Sequence, residues 1–269
     1  MKRVLFFALA IVIAFSTAAV QAEAAARTAV KVGVVGEIYR DIWAQVIKAM
    51  AEEGVDIELI SFADYNIPNE ALNNGDVDLN GFQHYAFLNA EIANKGYTLT
   101  VIGDTFMAAM CIYSNKISDV SELKDRDKIA VPNDAVNMGR ALSVLQGAGV
   151  ITLREVDGAP EISDITSNPK NIEIVQVDAS QIAALLPDVA AGIINGNFAK
   201  DFGFKPREDS IFYDDIRFYT DRRFVNIIVA RTAEKDNAVY KRIVEAFQSD
   251  AVEDVLMGQL DGVFMPAWK

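Results

Sequence analysis

Cysteine and histidine are almost missing from this sequence: Cys111 and His84 are the only residues of their kinds among 269. One cysteine cannot form an intrachain disulfide. One histidine and one cysteine are too few for the His/Cys clusters that hold zinc. A Ser-His-Asp triad would have to use His84, and there is no Gly-x-Ser-x-Gly elbow to support one. Positive charge is also short, with 25 Lys and Arg against 38 Asp and Glu, a net charge of −13. An excess of that sign disfavours nucleic acid as a partner. Long apolar runs are absent too: the longest near the N-terminus, Val4 to Phe15, has twelve residues, and a membrane-spanning helix needs about 20. No internal repeat or low-complexity segment stands out.

What is present is the composition of a soluble globular protein, 51% hydrophobic and 23% charged, with enough length for two domains. Residues 1–22 stand apart. Lys2 and Arg3 precede the apolar run, and small residues follow, with Val20 and Ala22 where a signal peptidase reads. A cleaved secretory signal is expected, and its removal takes away two cations and no acids, so −13 becomes −15. Residues 16–27 contain no cysteine to carry a lipid. The expected product is therefore a soluble periplasmic or otherwise extracytoplasmic protein without a lipid anchor.

From Thr28 onward, strands and helices alternate. Ala29 to Val35 reads as a buried strand ending at Gly36, Tyr39 to Glu53 as a helix and Asp56 to Phe62 as a second strand. That βαβ unit is expected to be right-handed with its strands parallel, and ligands in such sheets gather beyond the carboxyl ends of the strands. Pro68 to Asn74 and Ala86 to Asn94 read as helices. Phe106 to Ser114 is apolar and too long for one hairpin strand, which suits a crossover between domains. Residues 150 to 170 read as a connection. Glu208 to Arg223 reads as a solvated charged face, and Val225 to Val229 as a return to the first domain.

Between Val131 and Gly149 a cation sits on a helix otherwise written for burial. Pro132 and Asn133 turn the chain, Asp134 offers an N-cap oxygen, and Ala141, Leu142, Val144, Leu145 and Ala148 form an apolar stripe. Asn137 and Arg140, three residues apart, share a face near the helix N-terminus, where the macrodipole favours an anion. That layout suits a carboxylate, which a guanidinium binds through two parallel hydrogen bonds. From this stretch alone, a surface arginine paired with a nearby acid is the stronger reading.

Wider motifs change that weighting. Phe62-Ala63-Asp64-Tyr65 with Pro68-Asn69-Glu70-Ala71-Leu72, Phe82-Gln83-His84, Pro132-Asn133-Asp134 with Gly139-Arg140-Ala141-Leu142, Asn195-Gly196-Asn197 and Val225-Asn226-Ile227 resemble the NlpA/MetQ type of methionine-binding proteins. These are substrate-binding components of bacterial ABC importers. The resemblance runs from about Val30 to the Pro-Ala-Trp near the C-terminus, with the motifs in family order. It implies an α/β, two-lobed periplasmic binding protein fold, type II-like, with a ligand cleft between the lobes. The expected lobes are residues 29–110 plus 230–269, and residues 111–229.

The resemblance also implies the site. Arg140 would take the ligand carboxylate, Asn195 and Asn226 its polar ends with Asn137 and Asn197 as weaker transfers, and Tyr65, Phe82, His84 and Tyr85 its thioether chain. Sulfur against an aromatic ring gains about 0.3 to 1.5 kcal/mol. The implied ligand is L-methionine, the implied partners are the membrane permease and ATPase of an ABC importer, and a monomer without a cofactor is expected. The family is largely one of lipoproteins, and the missing cysteine departs from that pattern. Glu37-Ile38-Tyr39 departs from the usual first loop, and Ala86, Ala109 and Cys111 from expected Pro, Pro and Gly residues. Such changes bear on the ligand, so a relative of methionine or a short peptide ending in it stays in view. Two other readings stand beside the importer component: a carboxylate-processing enzyme using Asp64, Glu70 and His84 as acid or base, and a sensor subunit reporting ligand occupancy.

Overall fold

A computed structural model describes residues 27–218, 221–260 and 263–269. The expected signal segment, residues 1–22, lies outside the described residues. Strand β1 (Thr28–Val35) leads through α1 (Tyr39–Glu52) to β2 (Val55–Phe62), then α2 (Pro68–Asn74), β3 (Leu79–Asn80), α3 (Tyr85–Lys95) and β4 (Leu99–Ala108). Next come β5 (Met110–Tyr113), β6 (Lys128–Pro132), α4 (Ala135–Gly147), the small hairpin β7 (Thr152–Leu153) and β8 (Ile165–Ser167), and β9 (Glu173–Val177). Helix α5 (Ile182–Leu185), β10 (Ala191–Asn195), α6 (Gly196–Asp201), α7 (Pro206–Asp209) and β11 (Ser210–Phe212) follow. The chain closes with β12 (Val225–Arg231), α8 (Ala238–Phe247), α9 (Asp250–Asp254) and β13 (Phe264–Pro266). Among the described residues no helix is long and apolar enough to cross a membrane.

Two sheets carry these elements, and the molecule is α/β and two-lobed. One has the order β13-β4-β12-β3-β1-β2, the other β11-β5-β10-β6-β9. Strands β1, β2 and β3 are parallel, with Val35 opposite Phe62, so the carboxyl ends of β1 and β2 reach the same edge. Strands β9, β6 and β10 are likewise parallel. The inner parallel strands β6 and β10 are apolar and buried because helices cover them, whereas the edge strands β2 and β9 keep polar residues. On α1, Tyr39, Ile42, Trp43, Val46 and Met50 are buried at helical spacing, and on α8 Tyr240, Ile243, Val244 and Phe247 meet them. Trp43 and Phe247 pack edge to face with centroids 5.1 Å apart, a geometry that favours the ring quadrupoles. The C-terminal helices thus return to the first lobe, as α8 packs on α1 and Val244 fills the space beside Gly103, where a Cβ would collide.

The crossover is tighter than the sequence suggests. Strand β4 is a single run of ten residues that absorbs Gly103-Asp104-Thr105, and only Ala109 separates it from β5 in the other sheet. The apolar run Phe106 to Ser114 therefore spans two sheets with almost no connection between them. Strand β12 pairs with β3 and β4, so residues 225–229, which read from sequence as a return to the first domain, hydrogen bond in the first sheet. The charged stretch Glu208 to Arg223 is more than a solvated face: β11 pairs with β5, and Asp214 and Ile216 are buried. Its alternation is too irregular for that burial to be read from pattern alone.

Candidate ligand-binding site

The residues just beyond the carboxyl ends of β1, β3, β6 and β10 line a common pocket. Its lining divides by chemistry. Tyr39, Tyr65, Phe82, Phe87 and Phe264 make an aromatic end, and His84, Asn137, Arg140, Asn195, Asn197 and Asn226 a polar one. No Asp or Glu is among the described lining residues.

Arg140 is the only cation among the described lining residues. Helix α4 places it there: Asp134 caps the helix by accepting the Asn137 N–H at 2.8 Å, as its position predicts. The guanidinium is not the surface cation that the local sequence favours, since its side chain is only 3% exposed. Arg140 Nη2 donates to the Ala108 carbonyl at 2.6 Å, Asp214 stands at 3.6 Å, and Phe224 lies under the guanidinium at 4.7 Å. A buried cation without such company would be strongly unfavourable. The paired-acid reading was therefore right about a partner and wrong about the place.

The asparagines form a chain around it. Asn137 Nδ2 donates to the Asp134 carboxylate at 3.1 Å, and Asn137 Oδ1 accepts from Asn195 Nδ2 at 3.0 Å. Asn195 Oδ1 is buried and finds no hydrogen-bond partner among the described residues. A buried acceptor left unmet costs about 1 to 3 kcal/mol, so it is a place for a donor. Asn226 is buried in β12 and faces His84 across an isolated antiparallel bridge.

His84 is a fixed, neutral group. Its Nδ1 caps α3 by accepting the Phe87 N–H at 3.2 Å, which puts the ring proton on Nε2, aimed at Asn137 Oδ1 in a long contact of 3.4 Å. Burial, and after it the Arg140 charge, push its pKa down to about 3. Phe87 and Phe224 meet the ring edge to face.

At the aromatic end Tyr65 stacks near Phe82 with centroids 6.0 Å apart and approaches Phe198 at 5.1 Å. Its hydroxyl donates to Asn197 Oδ1 at 2.7 Å, and burial raises its pKa well above the ordinary range. Tyr39 donates to the Phe82 carbonyl at 3.0 Å. Behind Phe82 a buried amide cluster holds the wall: Asn69 and Gln83 exchange hydrogen bonds at 2.8 and 2.5 Å, and Asn80 Nδ2 donates to Asn69 Oδ1 at 3.1 Å.

Eight of the nine expected site residues line this cavity: Tyr65, Phe82, His84, Asn137, Arg140, Asn195, Asn197 and Asn226. Tyr85 does not. It is the first residue of α3, one step past the His84 cap, and its hydroxyl donates to Asp104 at 2.7 Å on another side of the helix. Asp64 and Glu70 lie away from the lining: Asp64 caps the N–H of Asn66 at 2.7 Å, and Glu70 is exposed in the first turn of α2. Sequence reading did not pick Tyr39, Phe87, Phe224 or Asp214. The first two sit at buried helical positions that look like ordinary core, Asp214 falls in the stretch with no readable period, and Phe224 directly follows it.

The NlpA lipoprotein family model matches residues 30–268. The chain belongs to the NlpA lipoprotein family. The NlpA-family relatives include the D-methionine-binding lipoprotein MetQ of Salmonella typhi, 40% identical over 89% of this chain and 88% of the relative. The MetQ protein of Escherichia coli K12 is 38% identical over the same shares. Among solved structures, a nutrient binding protein from Burkholderia cenocepacia bound to methionine is 34% identical with a TM-score of 0.83, covering 88% of this chain and 99% of that one. These NlpA-family relatives are named for binding and not for a reaction, which sets the enzyme alternative aside. One expectation is overturned here. The chain was expected to carry no lipid anchor, yet its family is one of lipoproteins and its curated relatives bear that word in their names. A missing cysteine in residues 16–27 spoke to one attachment chemistry at one assumed cleavage point, in a segment outside the described residues.

Proposed function

We propose that this protein captures methionine outside the cytoplasm and delivers it to the permease and ATPase of an ABC importer. The observation that carries the reading is the cavity itself, aromatic at one end and, at the other, furnished with one buried cation and neutral amides. A zwitterion with an apolar tail needs that division. Arg140 serves the carboxylate through its planar fork. Asn195 Oδ1, buried and lacking a partner among the described residues, accepts from the ammonium, and Asn226 is placed to help. The thioether lies against Tyr65 and Phe82, where sulfur and ring attract. A related solved protein bound to methionine supports the same ligand. We assign L-methionine as the ligand, with the protein acting as a monomer. The D-enantiomer is a second reading, favoured by the names of the MetQ relatives. The lobes that clasp it are assigned as residues 28–108 with 225–269, and residues 109–224.

Isothermal titration of protein unfolded, freed of small molecules and refolded tests this, with L-methionine, D-methionine and other amino acids as titrants. Saturable one-to-one heat with methionine is expected, tighter for the L form. A tighter response to D-methionine would transfer the assignment to that enantiomer. No response to either, with tight binding of another amino acid, would refute the methionine assignment.

A further inference from the structure

The turn Gly36-Glu37-Ile38, between β1 and α1, holds a feature that the cavity does not use. We propose that Asp201 is a closure latch: a carboxylate on α6 of the second lobe that seats on the backbone N–H pair of Glu37 and Ile38 in the first, and so contributes to ligand affinity without touching the ligand. This rests on the ligand-capture reading above.

Four observations support it. Asp201 accepts the Ile38 N–H through Oδ1 at 2.7 Å and the Glu37 N–H through Oδ2 at 3.0 Å. Those two N–H groups lie where β1 turns into α1, a helix of 14 residues whose N-terminal dipole favours an anion. Gly36 holds the left-handed conformation at φ +92°, and a Cβ there would collide with the Asp201 carboxylate. A left-handed residue followed by two converging N–H groups is an anion-receiving backbone concavity, here filled by a side chain from 163 residues away in sequence.

The carrier of the latch also carries the site. Helix α6 starts directly after Asn195, which lines the cavity, and Asn197 and Asp201 share one helix face four residues apart. Asn197 Nδ2 donates to the Val35 carbonyl at 3.2 Å and its Oδ1 accepts from Tyr65. One rigid helical turn therefore docks on the end of β1 at two points while Asn195 meets the cavity. The latch bonds join the two lobes and are lost when the lobes part. Glu37 and Asp41 put like charge nearby, and Glu37 is engaged by Arg40 at 2.5 Å. Asp201 is an exposed residue, so replacing it leaves the core intact.

The test compares the unaltered full chain with Asp201→Asn and Asp201→Ser. An amide keeps one acceptor oxygen but turns an N–H donor toward one of the two backbone donors, and a hydroxyl is too short to reach both. Titration with methionine should give dissociation constants on the order of tenfold higher for each variant, with faster release in stopped-flow fluorescence. The urea midpoint of the ligand-free protein should stay at the parent value. Scattering at a methionine concentration that compacts the parent should leave the variants more open. Parent-like affinity and release in both variants would overturn the latch while leaving methionine capture standing. A loss of ligand-free stability that accounts for the whole affinity change would also overturn it, making Asp201 a helix cap only. A parent that binds no methionine would instead refute the capture reading and the latch with it.

Discussion

Protonating His84 should destabilise this protein over a particular range of pH, and the size of the effect follows from the site. In the folded chain the imidazole is buried, its Nδ1 already accepts the Phe87 N–H, and Arg140 stands near. A second ring proton would turn that cap into two opposed donors and place two cations in one cavity. The pKa is accordingly pushed from 6.5 down to about 3, while in the unfolded chain it returns to about 6.5. A folded pKa below the unfolded one means that the unfolded state binds the proton first. The stabilisation is present above about pH 6.5 and is lost as pH falls toward 3. Between pH 7 and pH 5 one such group removes about 2 kcal/mol. Carboxylates also titrate in acid, so the perturbation is His84→Asn, which keeps an N-cap acceptor for α3 and removes the titration. Urea unfolding of ligand-free protein, followed by the fluorescence of Trp43 and Trp268, should show the parent losing about 2 kcal/mol more than the variant over that interval. Equal losses would refute the reasoning and place His84 in water.

Other substitutions test the ligand contacts and the wall behind them. Arg140→Ala should abolish methionine binding in titration, and Arg140→Lys should leave a remnant, because an ammonium keeps the charge but loses the planar fork; parent-like binding by Arg140→Ala would remove Arg140 from the ligand. Asn226→Ala should weaken binding by at least about 2 kcal/mol, roughly thirtyfold, as a buried charged group loses a partner. An unchanged dissociation constant would take Asn226 out of the site. Gly33→Ala drives a Cβ into Asn80 Oδ1 and toward the Phe62 ring, and urea melts should report a loss of about 1 to 3 kcal/mol. No loss would mean that the amide cluster of Asn80, Asn69 and Gln83 yields more easily than its burial implies.

Much of the fold was legible because its signals are local. The Asp134 cap, the apolar stripe of α4, and the parallel βαβ unit of β1, α1 and β2 are each written within one or two turns or strands. Eight of the nine residues that the motifs pointed to line the cavity, since spacing within a motif survives folding. Tyr85 falls outside the lining for a local reason too: His84 is the extended N-cap and Tyr85 the first helical residue, so the two neighbours need not face one cavity.

What the sequence by itself determined is therefore the alternation of strand and helix, the parallel strand edges, and a set of candidate ligand-binding residues. Only the tertiary structure decided that Arg140 is buried, because Ala108, Asp214 and Phe224 reach it from three other segments. It alone paired Asn195 with Asn137 across 58 residues and Tyr65 with Asn197 across 132, and set Asp201 against Glu37 and Ile38. Local pattern records which face of an element is apolar. It does not record which polar groups meet across a cleft, because those contacts depend on how two sheets, joined by single residues such as Ala109, are brought together.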